Sequence, residues 1–267
     1  MIAHEAHTGS GPAPLLAGIA LLATGYAVLA ARAHADPRGW NRWRTASFLL
    51  GTALLAVAVV PAALPYPHGD FRGHMVRHLL IGMLTPMALA LGAPVTLLLR
   101  SVPARWGRVV GRVLRSPFAH LVTHPVTVLL LNVGGLVALY TTPLYRLTTG
   151  DETLHHLVHL HFLVAGYLFA WVVAGADPAP RRPSVPARLV LLGVAIAVHA
   201  TLSQLMYAGI AVTVPVPVAE RQGGAQLMYY GGDIAELLLA FALVTTWRPR
   251  ARTVPDGVLS GTAGRAC

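Results

Sequence analysis

The chain has 267 residues, of which 55% are hydrophobic and 11% are charged. Because soluble domains carry roughly 25% charged residues, this composition argues against a soluble globular protein and favours a membrane protein. The net charge of +10 comes from arginines that lie beside apolar runs, so we attribute it to membrane topology rather than to nucleic-acid binding. A single cysteine, Cys267, excludes a disulfide within this chain and a metal site built from several cysteines.

Seven apolar runs are long enough to cross a membrane as helices, which requires about 20 residues each. The predicted spans are 14–31, 45–63, 74–99, 118–141, 153–174, 188–212 and 225–247. We expect a kink near Pro86 in the third span, because proline removes one backbone hydrogen bond of a helix. The predicted fold class is therefore all-α, a polytopic membrane protein built as a seven-transmembrane-helix bundle.

The distribution of arginine assigns the two sides of the membrane. Sixteen of the twenty arginines lie in or beside the first, third and fifth loops or after the last span, and the positive-inside rule makes this side cytoplasmic. The N-terminus is then outside and the C-terminus inside, which agrees with an odd number of spans. The prediction divides the chain into an extracytoplasmic tail (1–13), a transmembrane domain (14–247) and a cytoplasmic tail (248–267).

The third loop predicts an amphipathic helix in the segment 101–116. Arginines recur there at helical spacing, at positions 105, 108, 112 and 115. Trp106 and three valines occupy the other face. We interpret this segment as a helix that lies on the anionic inner leaflet, with a docking site for a partner protein as the alternative.

Histidine is concentrated on the opposite side of the membrane, where ten of the thirteen histidines map to the predicted outer half. Polar stripes at helical spacing run along three spans: His74, His78 and Thr85 in the third; His199, Ser203 and Met206, with Tyr207 beside them, in the sixth; and Tyr229, Asp233 and Glu236 in the seventh. Because lipid disfavours polar stripes, we expect them to face one another or a wet cavity.

Two carboxylates lie unusually deep in the last span. Asp233 is about 12 Å and Glu236 about 16 Å below its predicted outer end, from a rise of 1.5 Å per residue. An ionisable group at this depth is costly and marks a functional site by default, with His199 or Arg77 as the expected partner. Arg77 has two further interpretations, a snorkelling residue or a partner of Asp70.

The segment HHLVHLH (155–161) places four histidines in seven positions. On a helix of 3.6 residues per turn, His155, His156 and His159 fall within an arc of about 100°, whereas His161 lies nearly opposite His159. At most three of them can serve one site, and His159 is the best candidate because it lies deepest. We expect His161 to bond a neighbouring helix. The sequence leaves open whether His159 meets His78 and His199.

Histidine with methionine and carboxylate, without cysteine, suits copper, because imidazole binds both copper oxidation states and thioether favours Cu(I). Zinc and haem also take histidine ligands, so the spacing leaves the identity of the metal open.

Two familiar classes of seven-span protein are disfavoured by the sequence. A retinal protein needs a lysine, and this chain has none, while no motif or loop cysteine pair supports a G-protein-coupled receptor.

The stretch HMVRHLLIGMLTPMALALGAPVTLLLR (74–100) resembles the CtaG-like family of cytochrome c oxidase assembly factors of Gram-positive bacteria. The matching elements are His74-Met75 with His78, then Pro86, then Leu91-Gly92-Ala93-Pro94. The similarity continues in 155–178, 199–207 and 231–237 and covers roughly residues 40 to 248.

The resemblance implies a multi-pass plasma-membrane protein that matures haem–copper oxidase and is not an enzyme. It implies oxidase subunits and membrane lipid as partners, and copper as the metal. The ligands that it implies are His74, His78, His159 and His199, with Asp233 in support. The full candidate set adds His155 and Met206 as ligands, and Glu236, Arg77, Ser203 and Tyr207 as supporting residues.

Two other functions stay open from the residues alone. One is a haem-binding redox protein whose histidines are axial ligands. The other is a transporter or channel for copper or protons, with Asp233 and Glu236 along its pathway. The inner parts of several spans are nearly featureless, which disfavours a pathway through the whole membrane.

Overall fold

A computed structural model describes residues 12–67, 69–180 and 182–246, and within these ranges all regular secondary structure is helical. The helices are α1 (Ala13–Ala35), α2 (Arg42–Val59), α3 (Phe71–Ser101), α4 (Ala104–Leu114), α5 (Pro117–Val122), α6 (Pro125–Thr141), α7 (Leu144–Gly150), α8 (Glu152–Ala174), α9 (Val185–Ala208) and α10 (Val218–Thr245). A short 3-10 turn, Pro61–Ala63, follows α2. The tails predicted at either end fall mostly outside the described residues.

Five of these helices, α1, α3, α8, α9 and α10, are long and apolar enough to cross a membrane. A sixth span is present if α6 and α7, which meet at 78°, are counted together. The helix α2 is not in this set, because Arg42 and Arg44 in its first turn lower its mean hydropathy. An all-α membrane fold is thus supported with five to six spans, and the count of seven and the orientation of the termini stay predictions.

Three predicted helix spans are wrong, and each error has a local cause. The predicted span 45–63 ends early, because Val60 is extended before Pro61 (φ −99°, ψ 104°). The predicted span 118–141 is broken, because His124 is extended before Pro125, as residues before proline commonly are (φ −65°, ψ 134°). The predicted span 188–212 ends early, because Gly209 adopts the left-handed conformation (φ 74°) that commonly ends a helix.

The helix α3 is irregular at two of the motif residues. A π turn, Leu80–Leu84, lies just before Pro86, which has no N–H to donate to the preceding turn. The predicted irregularity near Pro86 therefore takes the form of a π turn. A second break follows Leu91, where Ala93 has a left-handed conformation (φ 51°) before Pro94 restarts the helix.

This second break is held by two other parts of the chain. The hydroxyl of Tyr26 in α1 donates to the carbonyl of Gly92 at 2.7 Å. The buried carboxylate of Asp177, in the loop after α8, accepts from the backbone N–H groups of Val95 and Thr96 at 2.9 and 2.7 Å. The Asp177 carboxylate therefore caps the restarted helix.

The helix α8 packs against two π turns. One is that of α3, where Gly166 of α8 lies so close to the carbonyl of Gly82 that a Cβ would clash with it. The other is Leu130–Gly134 in α6, where His161 of α8 donates from Nε2 to the carbonyl of Leu131 at 3.1 Å. The expectation that His161 bonds a neighbouring helix is confirmed.

In the part of the chain that the structure describes, buried apolar side chains form three clusters inside the bundle. The one that matters for the site is here called the methionine cluster: Phe71, Met75, Leu136, Leu139, Tyr140, Tyr145, Phe162, Leu202, Met206, Val214, Ala225 and Met228. Outward faces stay apolar as well, for example at Phe241 of α10, which is 68% exposed. Apolar surface of this kind suits a lipid environment.

Candidate functional site

His74, in the first turn of α3, is in contact with two tyrosines. Its Nε2 lies 3.1 Å from the hydroxyl of Tyr140, and its ring packs edge-on against Tyr145 with centroids 5.0 Å apart. The Tyr140 hydroxyl also lies 3.6 Å from Met75 Sδ. An imidazole, a phenol and a thioether thus form a continuous chain of contacts, here called the His74–Tyr140–Met75 chain.

His78 lies one turn further along α3 and is buried. Its ring meets Phe162 and Tyr140 edge-on, with centroids 4.9 and 6.3 Å apart. Both aromatic residues belong to the methionine cluster, in which the side chains of Met75, Met206 and Met228 are fully shielded from solvent. Two histidines of α3 therefore border a cluster that contains three thioethers.

An open cleft of about 470 Å³ leads to His74 from the surface. Its polar lining includes Tyr66, Asp70, His74, Arg77, Glu152 and His155. The ring centroids of His155 and His159 are 4.3 Å apart on α8. These two histidines therefore stand together beside the cleft, as the helical period predicted.

The predicted ligands share one region without forming a closed set. His74 and His78 lie one turn apart on α3, and His155 and His159 lie one turn apart on α8. Across the ranges that the structure describes, however, no three histidine, cysteine, aspartate or glutamate side chains stand close enough to hold a metal ion. Within the described residues, these histidines therefore do not form one preassembled ligand set.

His199 and Glu236 form a buried pair between α9 and α10, with His199 Nδ1 3.8 Å from Glu236 Oε1. Within the described residues, His199 Nε2 and Glu236 Oε2 have no hydrogen-bond partner. A cavity of about 30 Å³ lies beside Glu236, next to Asn132 and Met87. Since this is the volume of one water molecule, a bound water can supply a missing partner.

The predicted supporting residues differ in the contacts that they make. Asp70 pairs with Arg72 at 2.7 Å, so the suggested pairing of Asp70 with Arg77 is wrong. The side-chain hydrogen bonds from Arg72 lower the pKa of Asp70 below its ordinary value. Arg77 is half-buried at the cleft, and Ser203 donates its hydroxyl to the carbonyl of His199 at 2.8 Å.

Two further supporting residues, Asp233 and Tyr207, lie in different surroundings. Asp233 is half-buried near Glu236, and Tyr207 is 44% exposed on the outside of α9. The exposed position of Tyr207 gives it no contact with the methionine cluster. Met206, its neighbour in sequence, is fully buried within that cluster.

Two residues near these groups were missed by sequence reasoning. Tyr140 joins His74 to Met75, but an isolated tyrosine in an apolar run carries no distinguishing signal. Gly232 lies against the ring of His199, where a Cβ would clash with the imidazole. The GGD sequence at 231–233 marks a glycine pair, but only the packing shows which imidazole occupies the space.

Donor atoms of soft and borderline character lie at the cleft and in the methionine cluster behind it. Imidazole nitrogens at His74 and His78 and thioether sulfurs in the methionine cluster are of the types that Cu(I) accepts. Of these donors, His74 lines the cleft, whereas His78 and the methionine sulfurs are buried.

Comparisons with known proteins identify the family to which the chain is similar. The family model of the cytochrome c oxidase caa3 assembly factor (Caa3_CtaG) matches residues 24–250, which confirms the resemblance drawn from residues 74–100. Uncharacterized proteins of Mycobacterium bovis and Mycobacterium tuberculosis are each 32% identical over 253 residues, which is 88% of this chain and 38% of theirs. The chain therefore spans less than two fifths of the length of these relatives, and no solved structure matches it.

Proposed function

Because the chain belongs to the cytochrome c oxidase caa3 assembly factor family, we propose that it assists the assembly of a haem–copper oxidase by binding copper and delivering it to an oxidase subunit. The observation that carries this proposal is the His74–Tyr140–Met75 chain at the inner end of an open cleft. Copper is the cargo in this function, and the protein acts as a carrier rather than as an enzyme.

The chemistry of the bundle supports Cu(I) over Cu(II). Thioethers favour Cu(I), and three of them lie in the cluster that His74 and His78 border. No cysteine stands among the described residues, so soft ligation here depends on methionine. A copper ion that takes the place of the Tyr140 hydroxyl beside His74 Nε2 would bind without unfolding of the bundle.

The copper proposal is tested by Cu(I) titration of the purified full chain in detergent under anaerobic conditions, with a colorimetric Cu(I) chelator as competitor. We expect tight binding by the native chain. His78→Ala and Met75→Leu should each weaken it at least about tenfold, the effect of losing a ligand contact worth roughly 1.4 kcal/mol. His156→Ala is the matched control, because this histidine is exposed and its ion pair is with the exposed Glu152.

A native chain that takes up no copper at sub-micromolar free Cu(I) would refute the proposal. Equal losses in the His78→Ala and His156→Ala variants would also contradict it, because the loss would then not be specific to the cleft. A visible spectrum of the same sample tests the haem alternative, which requires a Soret band.

We further propose that the cleft opens to the outer side of the plasma membrane, as the distribution of arginine predicts. The single cysteine allows a direct test in a Cys267→Ser background. An impermeant thiol reagent should label Thr149→Cys, at an exposed position in the last turn of α7, in intact cells. It should label Arg108→Cys, on exposed α4, only after the cells are opened, and the reverse pattern would invert the topology.

A further inference from the structure

Two guanidinium groups meet at Gly175, directly after the C-terminal end of α8. A Cβ built on Gly175 would lie 3.0 Å from Arg188 Nη1 and 3.1 Å from Arg182 Cζ, so both groups border the same small space. Two like charges side by side are unfavourable unless an anion lies between or beside them. This arrangement, here called the arginine pair, lies at the opposite end of α8 from the histidines.

The arginine pair is not neutralised by a carboxylate within the part of the chain that the structure describes. Neither arginine takes part in an ion pair there. Arg182 donates to the backbone carbonyl of Asp177, and the Asp177 carboxylate is already occupied by the N–H groups of the restarted α3. The carboxylate of Asp177 is therefore committed to another role.

Helix capping explains only part of the arrangement. Arg188 Nη1 donates to the carbonyl of Val173 at 3.1 Å, which suits a cation at a helix C-terminus. Yet Arg188 is only 6% exposed, and its Nε has no hydrogen-bond partner. A buried charged group with an unused donor is costly, so the site calls for an acceptor that the described residues do not supply.

The arginine pair lines a groove of about 1580 Å³, which is larger than the 300–1,000 Å³ typical of small-molecule pockets. Asn41, Ser47, Ser184 and Thr245 add polar groups, and Trp43 and Phe241, which are 83% and 68% exposed, border it with apolar surface. All these elements belong to the side that the arginine distribution predicts to be cytoplasmic. A groove with a basic floor and apolar edges suits a lipid headgroup and its attached chains.

We propose that this groove binds a phosphate group between Arg182 and Arg188, with the headgroup of an anionic membrane lipid as its source and free phosphate as the other source. Guanidinium groups match the geometry of phosphate oxygens and can each donate two hydrogen bonds. The negative charge of the phosphate would offset the repulsion between the two guanidinium groups, and its oxygens would give Arg188 Nε an acceptor. The proposal stands apart from copper binding, because α8 separates the two sites by roughly 30 Å at 1.5 Å per residue.

The test measures the thermal unfolding midpoint of the full chain in a neutral detergent, titrated with short-chain phosphatidylglycerol, inorganic phosphate or short-chain diacylglycerol. A ligand that binds the folded state raises the midpoint in a saturable way. We expect phosphatidylglycerol to do so. Its apparent affinity should fall at least about tenfold in the Arg182→Gln, Arg188→Gln double variant, as expected for lost charge-assisted hydrogen bonds.

The matched control is the Arg105→Gln, Arg108→Gln double variant, which loses the same charge from exposed α4 outside the groove. It should keep the affinity within about twofold, since remote exposed charges are largely screened. If Arg188→Gln prevents folding, Arg182→Gln alone gives the result, because Arg182 is exposed.

Each outcome decides the matter. Stabilisation by phosphatidylglycerol alone supports the site with a lipid source, and stabilisation by inorganic phosphate supports it with free phosphate as a source. No stabilisation by either, equal stabilisation by diacylglycerol, or equal losses in the control variant would overturn the proposal. None of these measurements uses copper, so the copper proposal can fail or stand independently.

Discussion

His199 Nδ1 lies 3.8 Å from Glu236 Oε1 inside the bundle, and each side chain is more than nine-tenths buried. The sequence predicted a deep carboxylate with a histidine partner, and the structure places Glu236 rather than Asp233 next to His199. The second nitrogen and the second carboxylate oxygen lack partners among the described residues, beside a cavity with room for one water. At 3.8 Å the two atoms are too far apart for a hydrogen bond, so packing holds the pair in place.

The first prediction concerns the packing of this pair against Gly232. Gly232→Ala should destabilise the folded protein by about 1–3 kcal/mol, the usual effect of overpacking, because its Cβ would clash with the His199 ring. Thermal unfolding in detergent measures the change. Gly193→Ala on α9 is the control, since nothing lies within 4 Å of the added methyl group, and it should be neutral or stabilising. Equal destabilisation by both variants would refute the packing argument.

The second prediction concerns the π turn of α3. Gly166→Ala should destabilise by about 1–3 kcal/mol, because the new Cβ would press on the Gly82 carbonyl and the ring of Pro86. Backbone atoms of a helix cannot move aside as easily as the end of a flexible side chain. Unfolding of the Gly166→Ala variant in detergent measures the effect, with Gly134→Ala, where the space is open, as control. A stable Gly166→Ala variant would show that α3 and α8 are further apart than described.

The third prediction separates the histidines of the HHLVHLH segment. His161→Ala should destabilise by about 1–2 kcal/mol, because it leaves the Leu131 carbonyl of the α6 π turn without its donor. His156→Ala should change stability little, since an exposed ion pair contributes little. Copper binding measured on His161→Ala should match the native chain. Loss of copper with unchanged stability would instead place His161 in the site.

The fourth prediction concerns the pH dependence of the first turn of α3. Hydrogen bonds from Arg72 hold the pKa of Asp70 below its ordinary value, so the folded state favours the ionised carboxylate. This contribution to stability is fully present above the unfolded pKa of about 3.9 and is lost as the pH falls through the lower folded pKa.

The measurement compares the unfolding midpoints of the native chain and Asp70→Asn between pH 7 and pH 3. Asparagine still caps a helix, so the variant removes the charge and keeps the cap. The native chain should be more stable at pH 7, and the difference should shrink below about pH 4. A difference that stays constant down to pH 3 would show that the charge of Asp70 contributes nothing.

The sequence by itself determined the features that depend on local pattern. Hydropathy located the apolar helices, although α2 falls outside the set that passes by length and composition. The helical period separated His161 from His155 and His159, and the structure confirms that division. Pro86 predicted an irregular turn, because the missing N–H of proline disturbs a helix regardless of what packs against it. The motifs at 74–100 also identified the family.

Only the tertiary structure decided which side chains meet. Tyr140 joins His74 to Met75, Glu236 pairs with His199, and the arginine pair assembles from the loop after α8 and the start of α9. These contacts depend on how each helix is rotated and how far apart neighbouring axes lie. The glycines at 166 and 232 and the π turns set those distances. The sequence pattern of one helix does not specify which side chain of another helix packs against it.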